Sequence, residues 1–183
     1  LNVYFDAIDR FGNDSSSEGI DFIVEALPEK YRNAKGEYPI KEFLDMYEAA
    51  VTDELWTKVF RLEAALQNMG HTVTPTYAIS PTIIREASPG ALVYLARRYA
   101  GDDTIFNAAY QTLAESYPDS EYNRFRYLDT GTKLAKAGDY EGALENFSKV
   151  NELFPASAEA RTAALREGDA LIALRRYDDA AAK

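Results

Sequence analysis

The sequence predicts an all-α protein, and three observations support this. Apolar residues recur at helical spacing, glycine and proline separate the apolar stretches at helix-length intervals, and the second half contains an internal repeat with an offset of 37 residues. The chain has 183 residues, of which 46% are hydrophobic, so it can bury a core of ordinary domain size. We therefore expect packed helices rather than a disordered chain.

Residues 1–80 are predicted to form an N-terminal helical module. Polar residues 13–17 can cap the first helix, and Pro39 suits the first turn of the second, where its missing N–H costs nothing. Two sets of apolar residues follow these starts at helical spacing: Ile20, Ile23, Val24 and Leu27, then Ile40, Phe43, Leu44, Tyr47 and Val51. A third apolar stripe runs from Leu55 to Met69 and ends at Gly70, where a left-handed helix cap is expected.

A linker is predicted from about residue 71 to residue 80, because β-branched residues and Pro75 oppose helix formation there. Residues 81–183 are then expected to form short antiparallel helices. Prolines in this part stand close to a serine or aspartate that can cap the next helix; they are Pro81, Pro89, Pro118 and Pro155.

The internal repeat is visible as matched phrases that are 37 residues apart. Residues 100–103 match residues 137–140, and residues 117–120 match residues 154–157. Four further matches keep the same offset: Gly131 with Gly168, Leu134 with Leu171, Tyr140 with Tyr177, and Ala143 with Ala180. These matches predict copies at about 89–120, 124–157 and 161–183, of which the first is divergent and the last is partial.

These residues resemble the tetratricopeptide repeat, in which small and large side chains interlock between two helices. The second and third copies carry the resemblance through Tyr127, Gly131, Leu134, Tyr140, Ala143, Phe147 and Pro155, and through Gly168 and Tyr177. The resemblance implies a right-handed α-α superhelix, preceded by a module that is either separate or built of decayed copies. The offset of 37 and the aromatic-Pro-x-Ser phrases are similar to the subclass found in bacterial envelope assembly lipoproteins.

The resemblance also implies a concave surface, lined by the first helix of each copy, that receives another polypeptide. Its positions in this sequence are Phe125, Asp129, Thr132 and Lys136, followed by Arg166 and Asp169. Because Leu128 and Thr132 occupy clamp-like positions, we expect no clamp for a terminal carboxylate. Three arginine pairs, Arg97–Arg98, Arg124 with Arg126, and Arg175–Arg176, form either a basic seam or ordinary exposed positions with local acidic partners.

Charge and composition exclude or disfavour several classes of partner and functional site. The net charge of −10 disfavours nucleic acids and anionic membranes as partners, and no stretch approaches the roughly 20 apolar residues that span a bilayer. Without cysteine, thiolate metal sites and cysteine nucleophiles are excluded. The single histidine, His71, is expected to lie at a helix end rather than in a catalytic site, and Asp102 and Asp178 fit helix capping better than cation binding.

We therefore expect a non-enzymatic scaffold that binds other proteins, without a cofactor or metal, and that stabilises a larger complex. An envelope assembly or secretion component is one alternative. A regulatory or targeting domain of a longer enzyme is another, because the last copy stops inside its second helix. Leu1 in place of an initiator methionine is compatible with a removed leader and a periplasmic or organellar location.

Overall fold

A computed structural model of the chain describes residues 7–8, 10–15, 19–21 and 37–181. The described residues form helices and turns without a strand, which confirms the all-α prediction. Residues 37–181 contain α1 (Ile40–Thr52), α2 (Trp56–Asn68), α3 (Pro81–Glu86), α4 (Pro89–Arg98), α5 (Asp103–Ser116), α6 (Asn123–Lys136), α7 (Tyr140–Leu153), α8 (Ala158–Ala173) and α9 (Tyr177–Ala181). Of the predicted first helix, Ile20 is helical, and positions 23, 24 and 27 lie outside the described residues. None of the helices in the described ranges is long and apolar enough to cross a membrane.

Polar side chains start five of these helices by accepting hydrogen bonds from backbone N–H groups. The capping residues are Ser80, Ser88, Asp102, Asp139 and Ser157. At the other end of α2, Gly70 has a φ of +81°, and the His71 N–H donates to the Leu66 carbonyl at 2.8 Å. The expected left-handed cap at Gly70 is therefore present, and His71 stands at a helix end.

The chain divides into two compact units, Leu1–Tyr117 and Pro118–Lys183. The first unit contains α1–α5, so the helices of the divergent copy, α4 and α5, lie in the same unit as α1 and α2. The second unit contains α6–α9, which correspond to the copies at 124–157 and 161–183. The predicted right-handed superhelix stays a prediction.

Helix α2 is central to the first unit, because it packs against α1, α3 and α4. Its apolar core residues include Val59, Phe60, Leu62 and Leu66, all fully buried. The same helix also buries three charged side chains, Lys58, Arg61 and Glu63, and the partners of the last two are described next. Burial of a charge is unfavourable unless the charge is paired and hydrogen-bonded, so their partners hold α2 in one position.

Arg61 is buried in an ion pair with Asp21. Its Nε donates to Asp21 Oδ1 at 2.6 Å, and its Nη1 donates to the carbonyl oxygens of Gly12 and Asp14 at 2.9 Å each. Arg61 therefore fixes two segments from the first 21 residues against α2. The side chains of both charged partners are at most 2% exposed, so water cannot replace either one.

Asp21 in turn fixes the start of α4. Its Oδ1 accepts from Ser88 Oγ at 2.9 Å, and its Oδ2 accepts from the Gly90 N–H at 3.0 Å. Ser88 is also the N-cap of α4, because its Oγ accepts from the Ala91 N–H. A carboxylate at a helix N-terminus also interacts favourably with the helix dipole. Asp21 thus connects the N-terminal segment, α2 and α4 through one side chain.

Glu63 is the buried acidic side chain of α2, and three tyrosine hydroxyls donate to it. Tyr47 on α1 and Tyr77 in the 71–80 segment donate to its Oε1 at 3.1 and 2.6 Å, and Tyr94 on α4 donates to its Oε2 at 2.9 Å. The Arg98 guanidinium lies 3.9 Å from Oε2. Glu63 therefore connects α1, α2, α4 and the predicted linker.

The predicted linker is held against the helices although it contains no helix itself. The Tyr77 ring lies 5.1 Å from the Trp56 ring, measured between centroids. At the other end of the segment, the Val73 carbonyl accepts from Arg98 Nη2 at 3.0 Å. Residues 71–80 thus belong to the packing of the first unit.

The tyrosines around Glu63 predict alkaline sensitivity. Burial first, and then the nearby Glu63 carboxylate, raise the pKa of Tyr47, Tyr77 and Tyr94 above the usual value. An unfolded tyrosine titrates near pH 10, so above that pH the unfolded state binds fewer protons than the folded state. The free energy of unfolding should therefore be maintained below about pH 10 and fall above it, by about 1.4 kcal/mol per pH unit for each tyrosine that stays protonated in the fold.

Urea denaturation between pH 8 and 11 measures this slope. The Tyr77→Phe variant should have a slope that is shallower by about 1.4 kcal/mol per pH unit above pH 10, because it lacks one of the titrating hydroxyls. Equal slopes in the two proteins would show that Tyr77 keeps its ordinary pKa in the folded state.

The second unit has its core between α6, α7 and α8. The buried cluster consists of Leu128, Ala143, Phe147, Val150, Ala160 and Ala163, with Tyr127, Leu134 and Ala135 packed against it. Gly131 on α6 lies directly against α7. A Cβ at Gly131 would lie 2.7 Å from Phe147 Cε1 and 3.2 Å from the Ala143 carbonyl oxygen. Small residues thus leave the space that Phe147 fills, as the alternation in the sequence predicts.

Gly131 and Gly168 occupy equivalent places in two copies, yet their surroundings predict opposite effects of alanine. At Gly168 a Cβ would have nothing within 4 Å among the described residues. Gly168→Ala should therefore stabilise α8 by up to about 1 kcal/mol through helix propensity. Gly131→Ala should destabilise the second unit by about 1–2 kcal/mol, because the cost of overpacking against the Phe147 ring exceeds the gain in helix propensity. Thermal unfolding of both variants tests these two predictions. Melting temperatures that shift in the same direction in both variants would contradict them.

Candidate protein-binding surface

Helix α8 has one buried face and one exposed face. The buried face consists of Ala160, Ala163, Glu167, Ala170 and Leu171. The exposed face carries two large apolar side chains, Leu165 at 74% and Ile172 at 53% exposure. Together with Arg161, Gly168 and Asp169, they form a stripe along the helix, which we name the open face of α8.

The internal repeat shows how unusual this exposure is. One copy earlier, Leu128 corresponds to Leu165 and Ala135 to Ile172. Leu128 is only 9% exposed, and it belongs to the core cluster that includes two alanines of α8; Ala135 packs against the same cluster. The face that is covered in α6 is therefore uncovered in α8, where it keeps the leucine and carries isoleucine in place of alanine. Exposed apolar patches of this kind are typical of interaction sites.

An acidic cleft of about 520 Å³ lies between α7, α8 and α9. Its acidic lining residues are Glu141, Glu145, Glu167 and Asp179, and Arg176 is the basic side chain among its lining residues. Arg176 donates to Asp179 at 2.8 Å and lies 3.8 Å from Glu141. The cleft therefore carries more negative than positive charge.

Glu167 is the buried member of this acidic group, and its oxygens are occupied. Ser148 Oγ donates to Oε1 at 2.6 Å, and Asn151 Nδ2 donates to Oε2 at 2.9 Å. These bonds connect α7 to α8 through the side of α8 that lies away from the open face. Glu167 thus has a structural position rather than one that faces a partner.

The six predicted groove residues lie in different environments. Phe125 is only 8% exposed, and the Arg124 guanidinium lies 4.3 Å from its ring centroid. Asp129 and Thr132 are half-buried, and Thr132 Oγ1 donates to the carbonyl of its own helix four residues back. Lys136, Arg166 and Asp169 are exposed, and the last two lie three residues apart on α8. Of the predicted groove, α8 therefore presents the more accessible part.

Most arginines of these pairs have local partners, which favours the interpretation as ordinary positions over a basic seam. Arg124 Nε donates to Glu159 at 3.0 Å, and Arg126 Nε donates to Asn123 at 2.9 Å. The Arg126 guanidinium also covers the Tyr127 ring at 4.0 Å. Arg98 and Arg176 contact acidic side chains, as described above.

Three of the residues predicted to shape the repeat lie at helix starts or in a turn. Tyr140 begins α7, Pro155 lies in the turn before α8, and Tyr177 begins α9 with 61% of its surface exposed. Leu165 and Ile172 were not among the predicted site residues. Their offset of 37 from covered apolar positions is the signal that identifies them, although it requires knowledge of which positions are covered.

Comparison with known proteins finds no family model that matches this chain, and no curated protein or solved structure matches it either. A function for this surface therefore has to come from its geometry, its charge and the internal repeat.

Proposed function

We propose that the protein is a non-enzymatic scaffold whose second unit binds another polypeptide through the open face of α8. The observation that carries the proposal is the exposure of Leu165 and Ile172 at places whose counterparts in α6 are covered. Covering these side chains would stabilise a complex by about 25 cal/mol per Å² of apolar surface removed from water. The resemblance to tetratricopeptide repeats supports the proposal, since their stacked hairpins bind polypeptides.

Charges around the open face would select the partner. Arg161, Arg166 and Asp169 are exposed on α8, so the apolar stripe is flanked by both signs of charge. Such charges influence association rate and specificity more than affinity, which the apolar contacts supply.

Affinity capture from the native source, with quantitative mass spectrometry, tests the proposal. A Leu165→Glu plus Ile172→Glu variant should lose at least about tenfold of the bound partners, because buried carboxylates without partners are unfavourable. Leu153→Glu is the matched control, since Leu153 is 58% exposed on α7 and lies outside the open face. Circular dichroism verifies that both variants fold. Identical partner sets for all proteins would exclude the open face as the binding surface.

A further inference from the structure

We infer that the open face of α8 binds the same face of a second copy of this chain, with the two α8 helices antiparallel and crossing at Leu165. This inference rests on the proposed function, because it names a partner for the same surface. In a two-fold arrangement of this kind, a residue that lies a given number of positions before Leu165 in one copy meets the residue that lies the same number of positions after Leu165 in the other copy. The dimer is therefore favoured if residues equally far before and after Leu165 are complementary in charge and size.

The charges of α8 are complementary to themselves about Leu165. Arg161 lies four residues before Leu165 and Asp169 four residues after it, so each Arg161 would meet an Asp169 of the other copy. Both side chains are exposed, and neither has an ion-pair partner within the described ranges of its own chain. The two-fold axis would generate two such pairs.

The sizes of the side chains are complementary as well. Leu165 would meet Leu165 at the crossing point, Ile172 would meet Ala158, and Gly168 would meet Thr162. Each larger side chain thus faces a smaller one, apart from the central leucines. The stretch from residue 158 to residue 172 spans about 21 Å of helix, and small residues permit the axial separation of roughly 8–10 Å seen in packed helices.

Two other arrangements of the same helices oppose like charges. A parallel pair would place Arg161 against Arg161 and Asp169 against Asp169. An antiparallel pair that crosses about one turn later, between Gly168 and Asp169, would place Arg161 against Arg176. Like charges across an interface suppress such alternatives, so the charges favour the crossing at Leu165 over these two arrangements.

The dimer is expected to be weak. One helical stripe is smaller than the roughly 800 Å² per partner of a standard stable interface, and two chains of net charge −10 repel each other. We expect dimers at concentrations of about 100 µM in roughly 0.15 M salt, where the Debye length of about 8 Å limits the long-range repulsion.

Analytical ultracentrifugation with a charge exchange tests the register. Arg161→Asp and Asp169→Arg should each weaken dimerisation at least about tenfold, and the double variant should return to within about threefold of wild type, because it restores both pairs with reversed sign. Lys41→Asp is the control for net charge, since Lys41 is exposed on α1 and its replacement changes the charge by the same amount as Arg161→Asp. A double variant that stays as weak as the singles would overturn this geometry.

Disulfide trapping tests the crossing point independently. The chain has no cysteine, so Leu165→Cys introduces a single thiol that would meet its own copy across the two-fold axis. Mild oxidation should give a covalent dimer for Leu165→Cys and much less for the exposed control Leu153→Cys. Equal yields from the two positions would overturn the inference.

The outcomes separate this inference from the proposed function. If the wild type stays monomeric at 500 µM, on the order of five times the expected dimer range, the second copy is not the partner. Capture of other polypeptides that is lost in the Leu165→Glu plus Ile172→Glu variant would still support the scaffold function. A dimer restored by the charge exchange supports the inference whatever other proteins are captured.

Discussion

Replacement of Arg61 by alanine is expected to lower the free energy of unfolding of the first unit by about 3–5 kcal/mol. The substitution leaves the Asp21 carboxylate buried without its cation, and it removes the donor to the Gly12 and Asp14 carbonyls. Urea denaturation followed by tryptophan fluorescence measures the loss, because Trp56 is the only tryptophan and lies on α2 in this unit. A loss below about 1 kcal/mol would show that the ion pair between Arg61 and Asp21 is not needed for the stability of the first unit.

A double variant separates the cost of an unpaired charge from the worth of the pair. Arg61→Met combined with Asp21→Leu removes both charges together, so it should be more stable than Arg61→Met alone. Recovery should be partial, since Ser88 Oγ and the Gly90 N–H also lose their acceptor in Asp21→Leu. Arg85→Ala is the control, because Arg85 is exposed on α3 and should change stability by less than about 0.5 kcal/mol.

Phe147→Ala is expected to lower the free energy of unfolding of the second unit by about 3–5 kcal/mol. Phe147 is fully buried in the cluster between α6, α7 and α8, so its removal leaves a cavity where three helices meet. Amide hydrogen exchange of α6–α8 measures this loss separately from the first unit, which contains the tryptophan signal. The exposed Leu153→Ala is the control and should leave exchange in α6 and α8 unchanged.

A double-mutant cycle then tests the contact between Phe147 and Gly131. Gly131→Ala should destabilise the wild type, yet be neutral or stabilising in the Phe147→Ala background, where the ring atoms at 2.7 and 2.9 Å are gone. A coupling energy of about 1–2 kcal/mol is expected. Additive effects would mean that the helices can separate slightly to admit the methyl group.

Local features of the fold could be predicted from the sequence. The stop at Gly70 and the cap at Asp102 depend on backbone geometry within a few residues, which local composition controls. The approach of Gly131 to Phe147 was predicted as well, because both residues belong to one helical hairpin, in which a small residue stands opposite a bulky one. Contacts between residues that are close in sequence can therefore be predicted from local sequence patterns.

The buried charges could not be predicted in this way. Arg61 and Asp21 are 40 residues apart, and Glu63 and Tyr94 are 31 residues apart. On a helix that is amphipathic by sequence, charged residues are normally assigned to the solvent side. Their burial depends on partners from several helices and segments. No local sequence pattern indicates that these partners come together. Phe125 shows the converse case, since it was expected in an open groove and is buried under Arg124.

By itself the sequence determined that the protein is helical, where most of its helices start and stop, and which small and large residues nest between α6 and α7. Tertiary structure alone decided that Arg61 and Glu63 lie inside and that Leu165 and Ile172 lie outside. The physical reason is that helix formation and capping are local equilibria, whereas burial depends on which surfaces of distant segments are brought together. A hydrophobic stripe identifies a surface to be covered, but only the packed chain shows whether its own residues cover it.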